Sequence, residues 1–218
     1  MSRIRIKFCG LRRARDVDAA VALGVDAIGL IVVPASPRCV DLELAAKLRS
    51  RLPPFVSSVL LFKDPDAGFV QEAIDAVKPD LLQFHGAEQA DFCASFGLRY
   101  LKAIAMGGKV ALRREARRYG DAAGLLLDSH APGGLGGRGQ TFEWKALPKV
   151  AMPLVLAGGL NPDNVARGIA ALKPYAVDVS SGIERKPGVK DADKMQAFVA
   201  AVRRAERKLE RESPMRKL

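Results

Sequence analysis

The chain contains few residues of the kinds that build metal sites or disulfide scaffolds. Its 218 residues include only three cysteines and two histidines. Cys9, Cys39 and Cys93 are widely spaced and form no CxxC pair, so the sequence predicts neither a disulfide framework nor a zinc site. A reducing compartment, the cytoplasm, is therefore the expected location.

Long apolar runs are also lacking. No uncharged apolar stretch reaches the roughly 18 residues that a membrane span needs. The N-terminus alternates Arg3, Ile4, Arg5 and Ile6, which differs from the apolar core of a signal peptide. Hydrophobic residues make up 49% of the chain, enough for a sizeable core. We expect one soluble, non-exported domain with no membrane partner.

The formal net charge of +11 is not accompanied by a nucleic-acid-binding motif. No basic patch interleaved with aromatic residues, RNA-binding signature or zinc finger occurs, so we expect no nucleic-acid partner. A non-catalytic nucleic-acid-binding protein stays the alternative from another class. The positive field would otherwise attract an anionic metabolite or belong to a solvated surface.

Short apolar runs alternate with longer amphipathic stretches, which is the pattern of βα units. Eight such units favour a single-domain α/β fold, the (β/α)8 or TIM barrel, over the alternative of a doubly wound sheet. We assign residues 1–202 to the barrel and residues 203–218 to a basic, helical C-terminal extension. The predicted strands are Ile4 to Cys9, Ala27 to Val32, Ser57 to Phe62, Leu81 to His85, Tyr100 to Ala105, Gly124 to Asp128, Leu154 to Ala157 and Ala176 to Val179.

Local signals between the strands predict where helices and loops begin and end. Asp41 and the pair Asn161-Pro162 suit helix N-termini. Gly24 and Gly97 suit the left-handed position that follows a helix. The glycine-rich segment from Ser129 to Phe142 is predicted to be a long mobile loop after the sixth strand, of the kind that often acts as a lid.

In a barrel, the active site lies at the C-terminal ends of the strands and in the loops that follow them. The glycine and serine pairs after the seventh and eighth strands leave backbone N–H groups accessible, which suits a phosphate group, although they could simply permit tight turns. The candidate site residues are Cys9, Arg38, Gln83, His85, Asp128, Gly158, Gly159, Ser180, Ser181 and Gly182.

Two of these candidates suggest acid–base chemistry. Cys9 ends the first strand beside a glycine, where a bound cation or helix terminus would lower the thiol pKa and make it a base; the alternative is an inert core thiol. Asp128 ends an apolar run, where desolvation raises a carboxyl pKa and suits a general acid; the alternative is a loop cap. Both would face one mouth, with no metal and no cofactor.

The remaining candidates have roles in binding or in the pocket wall. Arg38 follows a proline, and its guanidinium could bind a carboxylate or lie at the surface. His85 is expected to be a neutral, hydrogen-bonded residue of the pocket wall. His130 is expected to be solvated in the sixth loop, and Cys39 and Cys93 to be packing residues.

Taken together, these motifs resemble those of the phosphoribosylanthranilate isomerase family of tryptophan biosynthesis. The resemblance covers nearly the whole chain except the segment after Arg203. It is carried by Lys7-Phe8-Cys9-Gly10, Ser36-Pro37-Arg38, Gln83-Phe84-His85-Gly86, Leu127-Asp128-Ser129, Thr141-Phe142-Glu143-Trp144, Ala157-Gly158-Gly159-Leu160 and Asp178-Val179-Ser180-Ser181-Gly182-Ile183-Glu184.

The resemblance implies an Amadori rearrangement of N-(5-phosphoribosyl)anthranilate, a small phosphosugar. It implies that Asp128 is the general acid and Cys9 the base. Arg38 would bind the anthranilate carboxylate, and Gly159, Ser181 and Gly182 would hold the phosphate. No cofactor is implied, and we expect a monomer or a homodimer.

One loop departs from the family pattern, and two alternative activities stay open. The family's usual Gly-Gly-Thr-Gly in the sixth loop is replaced here by a sequence that contains Arg138. The histidine-pathway aminoaldose isomerase shares the phosphate loops but resembles a two-aspartate arrangement, and Cys9 distinguishes this chain from it. Action on both substrates is a further alternative.

Overall fold

Eight parallel strands close into a barrel in which each strand pairs with the next one along the chain and β8 pairs with β1. The computed structural model describes residues 3–108, 110–129 and 147–212. The predicted TIM barrel is confirmed. The strands are β1 (Arg5–Cys9), β2 (Ala27–Ile31), β3 (Ser57–Phe62), β4 (Leu81–Phe84), β5 (Tyr100–Ala105), β6 (Gly124–Asp128), β7 (Leu154–Leu156) and β8 (Ala176–Val179).

Over the residues that the structure describes, a helix follows every barrel strand except β6, and a two-stranded antiparallel hairpin lies between β8 and its helix. Within the described ranges, no helix is long and apolar enough to cross a bilayer. The helices are α1 (Ala14–Ala22), α2 (Leu42–Arg49), α3 (Ala67–Val77), α4 (Ala90–Ala94), α5 (Leu112–Arg118), α6 (Val165–Leu172) and α7 (Ala192–Glu212), and the hairpin strands are β9 (Glu184–Lys186) and β10 (Val189–Lys190).

Four strand ends differ from their predicted positions by one residue, three of them at the C-terminal end of the strand. In these three cases the next residue still donates its backbone N–H to the neighbouring strand: Val32 to the Leu61 carbonyl, His85 to that of Phe62, and Ala157 to that of Leu127. The strand direction therefore continues into the loops that carry the candidate residues.

Helix starts and stops follow the local signals in most places. Asp41 caps α2 by accepting a hydrogen bond from the Leu44 N–H at 2.7 Å. Gly24 and Gly97 have φ values of +70° and +67°, in the left-handed region. Asn161 accepts backbone hydrogen bonds as the predicted N-cap does, but the assigned helix α6 begins four residues later, at Val165.

Asn161 belongs instead to a turn before α6. Its side-chain oxygen accepts hydrogen bonds from the N–H groups of Asp163 and Asn164, and Asn164 accepts one from the Asn161 N–H in return. Such reciprocal bonds are typical of helix N-termini, and the Val165 N–H donates to the Asn161 carbonyl at 3.1 Å, so the turn leads directly into α6.

The main hydrophobic core lies between the strands and the surrounding helices, and it includes Phe8, Leu60, Leu125 and Phe198. Inside the barrel, Ile31, Val33 and Leu61 pack with Cys9 in a small apolar cluster. The Cys9 thiol therefore lies in an apolar layer beneath the C-terminal mouth of the barrel.

Helix α7 runs back along the molecule and contacts the first strand's start. The Glu206 carboxylate accepts a hydrogen bond from the Ile4 N–H at 2.5 Å, and Arg203 donates to the Ile4 carbonyl at 2.9 Å. Leu209 is buried in the main core. The division predicted after residue 202 falls inside this continuous helix.

Candidate active site

One cavity at the C-terminal end of the barrel brings together candidates from five βα units. The space within it measures about 640 Å³, part of which is open to solvent. His130 and Arg138 lie outside the described residues, as does most of the predicted sixth loop. The lining residues are Cys9, Ile31, Val33, Ser36, Pro37, Arg38, Leu61, Lys63, Gln83, His85, Asp128, Asp178 and Ser180.

Cys9 is buried at the end of β1, close to a lysine of the same strand. Lys7 precedes it by two residues, so both side chains point into the barrel. Gly29 on the neighbouring strand makes room for them, because a Cβ there would lie 2.7 Å from Cys9 Sγ and 3.0 Å from Lys7 Nζ. Lys7 in turn donates to Asp178 on β8 at 2.9 Å.

The electrostatic surroundings of Cys9 differ from the sequence expectation. Burial raises the thiol pKa above its ordinary value, and the positive charges of Lys7 and Lys190 act in the opposite direction without cancelling this effect. The expected lowering of the thiol pKa was therefore wrong, because burial outweighs the two cations. Proximity to two buried cations still favours the thiolate relative to an equally buried thiol without them.

Asp128 is buried at the end of β6 and faces the same cavity. His85 Nε2 lies 3.4 Å from Asp128 Oδ2. Gln83 Nε2 lies 3.2 Å from the other ring nitrogen of His85. If the Gln83 amide donates to Nδ1, then the Nε2 proton of a neutral imidazole points at Asp128. Gln83 and His85 thus lie on the Asp128 side of the cavity.

Gln83 is fully buried, and its amide oxygen has no hydrogen-bond partner among the described residues. A buried acceptor without a partner is costly in a folded protein, so such a group often marks a position that a ligand or water satisfies. Gln83 is among the residues that line the cavity, and this amide oxygen is buried in the cavity wall.

Arg38 lines the cavity from the second loop, but most of its guanidinium fork is already occupied. Its Nε and one terminal nitrogen donate to the two carboxylate oxygens of Glu184 at 2.8 and 2.7 Å. Both side chains are buried. The surface alternative for Arg38 is thereby excluded, and the donors that remain are those directed away from Glu184.

A smaller cavity adjoins the main one between the loops after β7 and β8. Gly158 and Gly159 both have positive φ values, +76° and +63°. Gly182 packs so closely on the Leu160 carbonyl that a Cβ would collide with it. The residues around this smaller cavity are Asp128, Ala157, Gly158, Gly159, Leu160, Asp178, Val179, Ser180 and Ser181.

Five charged residues in or beside the site were not candidates from the sequence: Lys7, Lys63, Asp178, Glu184 and Lys190. Two of them had an available signal: Lys7 is at an inward-facing position two residues before Cys9, and Lys63 directly follows β3. The places of Asp178, Glu184 and Lys190 depend on pairing between distant parts of the chain. No group of three histidine, cysteine or acidic residues suited to a metal occurs in the part of the chain that the structure describes.

A closed parallel barrel with a thiol, a carboxyl and a small-residue loop pair at its C-terminal mouth defines a TIM-barrel enzyme that acts on a small molecule. The family profile described as N-(5'-phosphoribosyl)anthranilate (PRA) isomerase matches residues 6–201. The chain therefore belongs to this isomerase family of tryptophan biosynthesis, and it is an enzyme.

Individual relatives agree with this assignment. The N-(5'-phosphoribosyl)anthranilate isomerase of Stenotrophomonas maltophilia is 51% identical over 207 residues, which cover 94% of this chain and 95% of the relative. That of Acidithiobacillus ferrooxidans is 48% identical over 203 residues, or 93% and 99% of the two chains.

Solved structures of the family have the same fold. The enzyme from Thermus thermophilus superposes with a TM-score of 0.83 at 33% identity, covering 92% of this chain and 99% of that one. A phosphoribosyl anthranilate isomerase in complex with reduced 1-(o-carboxyphenylamino)-1-deoxyribulose 5-phosphate gives a TM-score of 0.79 at 31% identity, with coverage of 92% and 98%.

Proposed function

We propose that this isomerase converts N-(5-phosphoribosyl)anthranilate into 1-(2-carboxyphenylamino)-1-deoxyribulose 5-phosphate, with Asp128 as general acid and Cys9 as general base. The observation that carries the assignment of roles is that both groups line one cavity although they lie on β1 and β6. Family membership supports the reaction, and the geometry supports the two roles.

The chemistry requires one acid and one base on a single sugar. Protonation of the ring oxygen by Asp128 breaks the C1–O bond, and the anilino nitrogen lone pair forms the iminium. The iminium acidifies the neighbouring C–H, so Cys9 can remove the C2 proton and leave an enolamine. Tautomerisation moves a proton to C1 and gives the ketose. The electron pair of the broken C2–H bond is accepted by the iminium.

The binding roles follow from the two adjoining cavities. Arg38 would bind the anthranilate carboxylate, with Gln83 and His85 in the wall of the main cavity. The smaller cavity between the last two loops would hold the phosphate. Its proposed residues are Gly158, Gly159, Ser180, Ser181 and Gly182, of which Gly182 acts by packing the two loops together.

Substitution of the acid and the base tests this proposal. Cys9→Ala and Asp128→Asn are each expected to lower kcat by about 10²-fold to 10⁴-fold, because each removes one proton-transfer group. Binding of the reduced product analogue, measured by calorimetry, should persist in both variants. Cys39→Ala is the matched control, since Cys39 does not line the cavity.

Near-normal turnover in either variant would contradict the proposed proton transfers. Assaying the histidine-pathway aminoaldose beside the anthranilate compound separates a single-substrate enzyme from one that accepts both. A purified enzyme that turns over neither compound would contradict the reaction itself.

The proposed partner is a small phosphosugar, with neither nucleic acid nor membrane as a partner. We further propose a cytoplasmic monomer or homodimer, in keeping with three cysteines that are all free in the described structure. Light scattering on the purified chain distinguishes the two oligomeric states, and fractionation of cells that express it tests the location.

A further inference from the structure

Three buried charged residues meet beside the main cavity, and two of them have no role in the reaction proposed above. Arg38 comes from the loop after β2, Glu184 from β9 and Lys190 from β10. Their side chains are at most 9% exposed. Of the three, only Arg38 lines the cavity. Glu184 contacts the cavity wall at Arg38, and Lys190 contacts it through Glu184 and at Ser180, which also lines the cavity.

Glu184 holds the arginine in one orientation. Its two oxygens accept the paired hydrogen bonds from Arg38, and one of them also accepts from the Gly188 N–H at 3.2 Å. A planar fork bound at both donors cannot rotate, so the remaining guanidinium donors have a constant direction. Gly10 lets the arginine lie flat, since a Cβ there would come within 2.7 Å of Arg38 Cδ.

Lys190 is the second cation on the same carboxylate. Its Nζ donates to Glu184 Oε1 and to the Ser180 carbonyl, both at 2.9 Å, and lies 3.4 Å from Ser180 Oγ. Burial lowers the pKa of Lys190 below its ordinary value, and the Glu184 carboxylate opposes this shift without cancelling it. Three acceptors around Nζ are the number that an ammonium group, with three N–H donors, can satisfy.

The carboxylate is ionised in this arrangement. Burial alone would raise the pKa of Glu184, but hydrogen bonds from Arg38 and Lys190 outweigh it and hold the pKa below its usual value. The cluster thus contains two cations and one anion. The neighbouring Lys7–Asp178 pair is neutral as a unit, and Lys194, which binds the Glu184 carbonyl, is exposed and screened by solvent.

The surplus positive charge has a consequence for ligand selection. Arg38 paired with Glu184 alone would be neutral, and a neutral ion pair attracts an entering anion weakly in a site of low dielectric. With Lys190 present, one positive charge stays uncompensated, and Arg38 is the member of the cluster that faces the cavity.

We propose that Lys190, acting through Glu184, determines the enzyme's selectivity for a carboxylate-bearing ligand. It does so by keeping Arg38 in one orientation and by leaving the cluster of Arg38, Glu184 and Lys190 with one excess positive charge. Lys190 is a positioning and charge-balancing residue, and it does not touch the ligand. The inference rests on the proposed function, because it deepens the role that Arg38 has there.

Two ligands and three variants test the inference by binding alone. The ligands are the reduced product analogue and its counterpart with a phenyl ring in place of the 2-carboxyphenyl ring. Their dissociation constants are measured by calorimetry, and the ratio of the two constants is the selectivity. The variants are Lys190→Met, Lys190→Arg and the double variant Glu184→Gln/Lys190→Met.

Charge balance predicts a specific order of selectivity. Lys190→Met should lower the selectivity about tenfold or more, because the cluster becomes neutral, whereas loss of the Lys190–Ser180 contact weakens both ligands equally and leaves the ratio unchanged. Lys190→Arg, which keeps the charge, should stay close to wild type. The double variant has one cation and no anion, so it should recover much of the selectivity that Lys190→Met loses.

A merely structural role for Lys190 would give another pattern. In that case both ligands would weaken together in Lys190→Met, and the double variant would be at least as impaired as the single one. Either result, or an unchanged ratio in Lys190→Met, would overturn the inference. Failure of the proposed function would give a different result, because wild-type enzyme would then show no preference for the carboxylate-bearing ligand.

Discussion

Lys7 Nζ on the first strand lies 2.9 Å from Asp178 Oδ1 on the eighth strand, and both side chains are less than one-tenth exposed. The two residues are direct neighbours in the register that closes the barrel. The ion pair therefore links the first and last strands where the barrel closes, just below Cys9.

Removal of one partner of this pair should destabilise the fold. Lys7→Met leaves the Asp178 carboxylate buried without its cation, and we expect the free energy of unfolding to fall by about 3–5 kcal/mol. Urea denaturation measures the change. The double variant Lys7→Met/Asp178→Asn should recover part of the loss, because it buries no unpaired charge; a single variant as stable as wild type would contradict the pair's importance.

The thiol of Cys9 should titrate at higher pH than an ordinary cysteine. Burial raises its pKa, so the reactive thiolate forms only as pH rises through that raised value. The rate of alkylation by iodoacetamide, measured against pH in a Cys39→Ala background, reports the titration. Lys7→Met should move the curve to still higher pH, because one of the two cations that oppose the shift is lost. A curve at or below the ordinary thiol value would show that the cations dominate instead.

The loops after β7 and β8 should tolerate no side chain at Gly182. A Cβ at that position would collide with the Leu160 carbonyl and lie 2.9 Å from the Asn161 Cα. We expect Gly182→Ala to lower stability by about 1–3 kcal/mol and to weaken competitive inhibition by inorganic phosphate. Gly108→Ala is the matched control, since a Cβ there has no neighbour within 4 Å and the φ angle is not positive.

Equal effects of the two alanine substitutions would contradict this account of the phosphate loops. A loss of stability in Gly182→Ala without any change in phosphate inhibition would separate the packing role of Gly182 from ligand binding.

The C-terminal helix should be required well beyond residue 202. A chain ending after residue 202 loses the hydrogen bonds of Arg203 and Glu206 to Ile4, together with the buried Leu209. We expect a clearly lower melting temperature for this truncation and a near-normal one for a chain ending after residue 212. If both truncations melt like the full chain, residues 203–218 act as the separate extension that the charge pattern predicts.

The eight βα units and the position of the chemistry at the strand ends could be predicted because they depend on local patterns. Apolar runs, glycines and helix signals recur within a few residues of each other, and parallel strands place their C-terminal ends at one mouth. Cys9, Asp128 and Arg38 were identified in this way. The same local signals placed the start of α6 too early, because the mutual hydrogen bonds of Asn161 and Asn164 form a turn that leads into the helix.

Sequence periodicity by itself thus determined the barrel and the rim that carries its reactive groups. Tertiary structure alone decided which charges meet, because Lys7 and Asp178 are 171 residues apart and Arg38 and Glu184 are 146 apart. It also decided the direction of the Cys9 pKa shift, since that direction is a balance between burial and the charges of Lys7 on the same strand and Lys190 on β10. Local patterns specify which residues face inward, whereas register and closure of the barrel specify their partners.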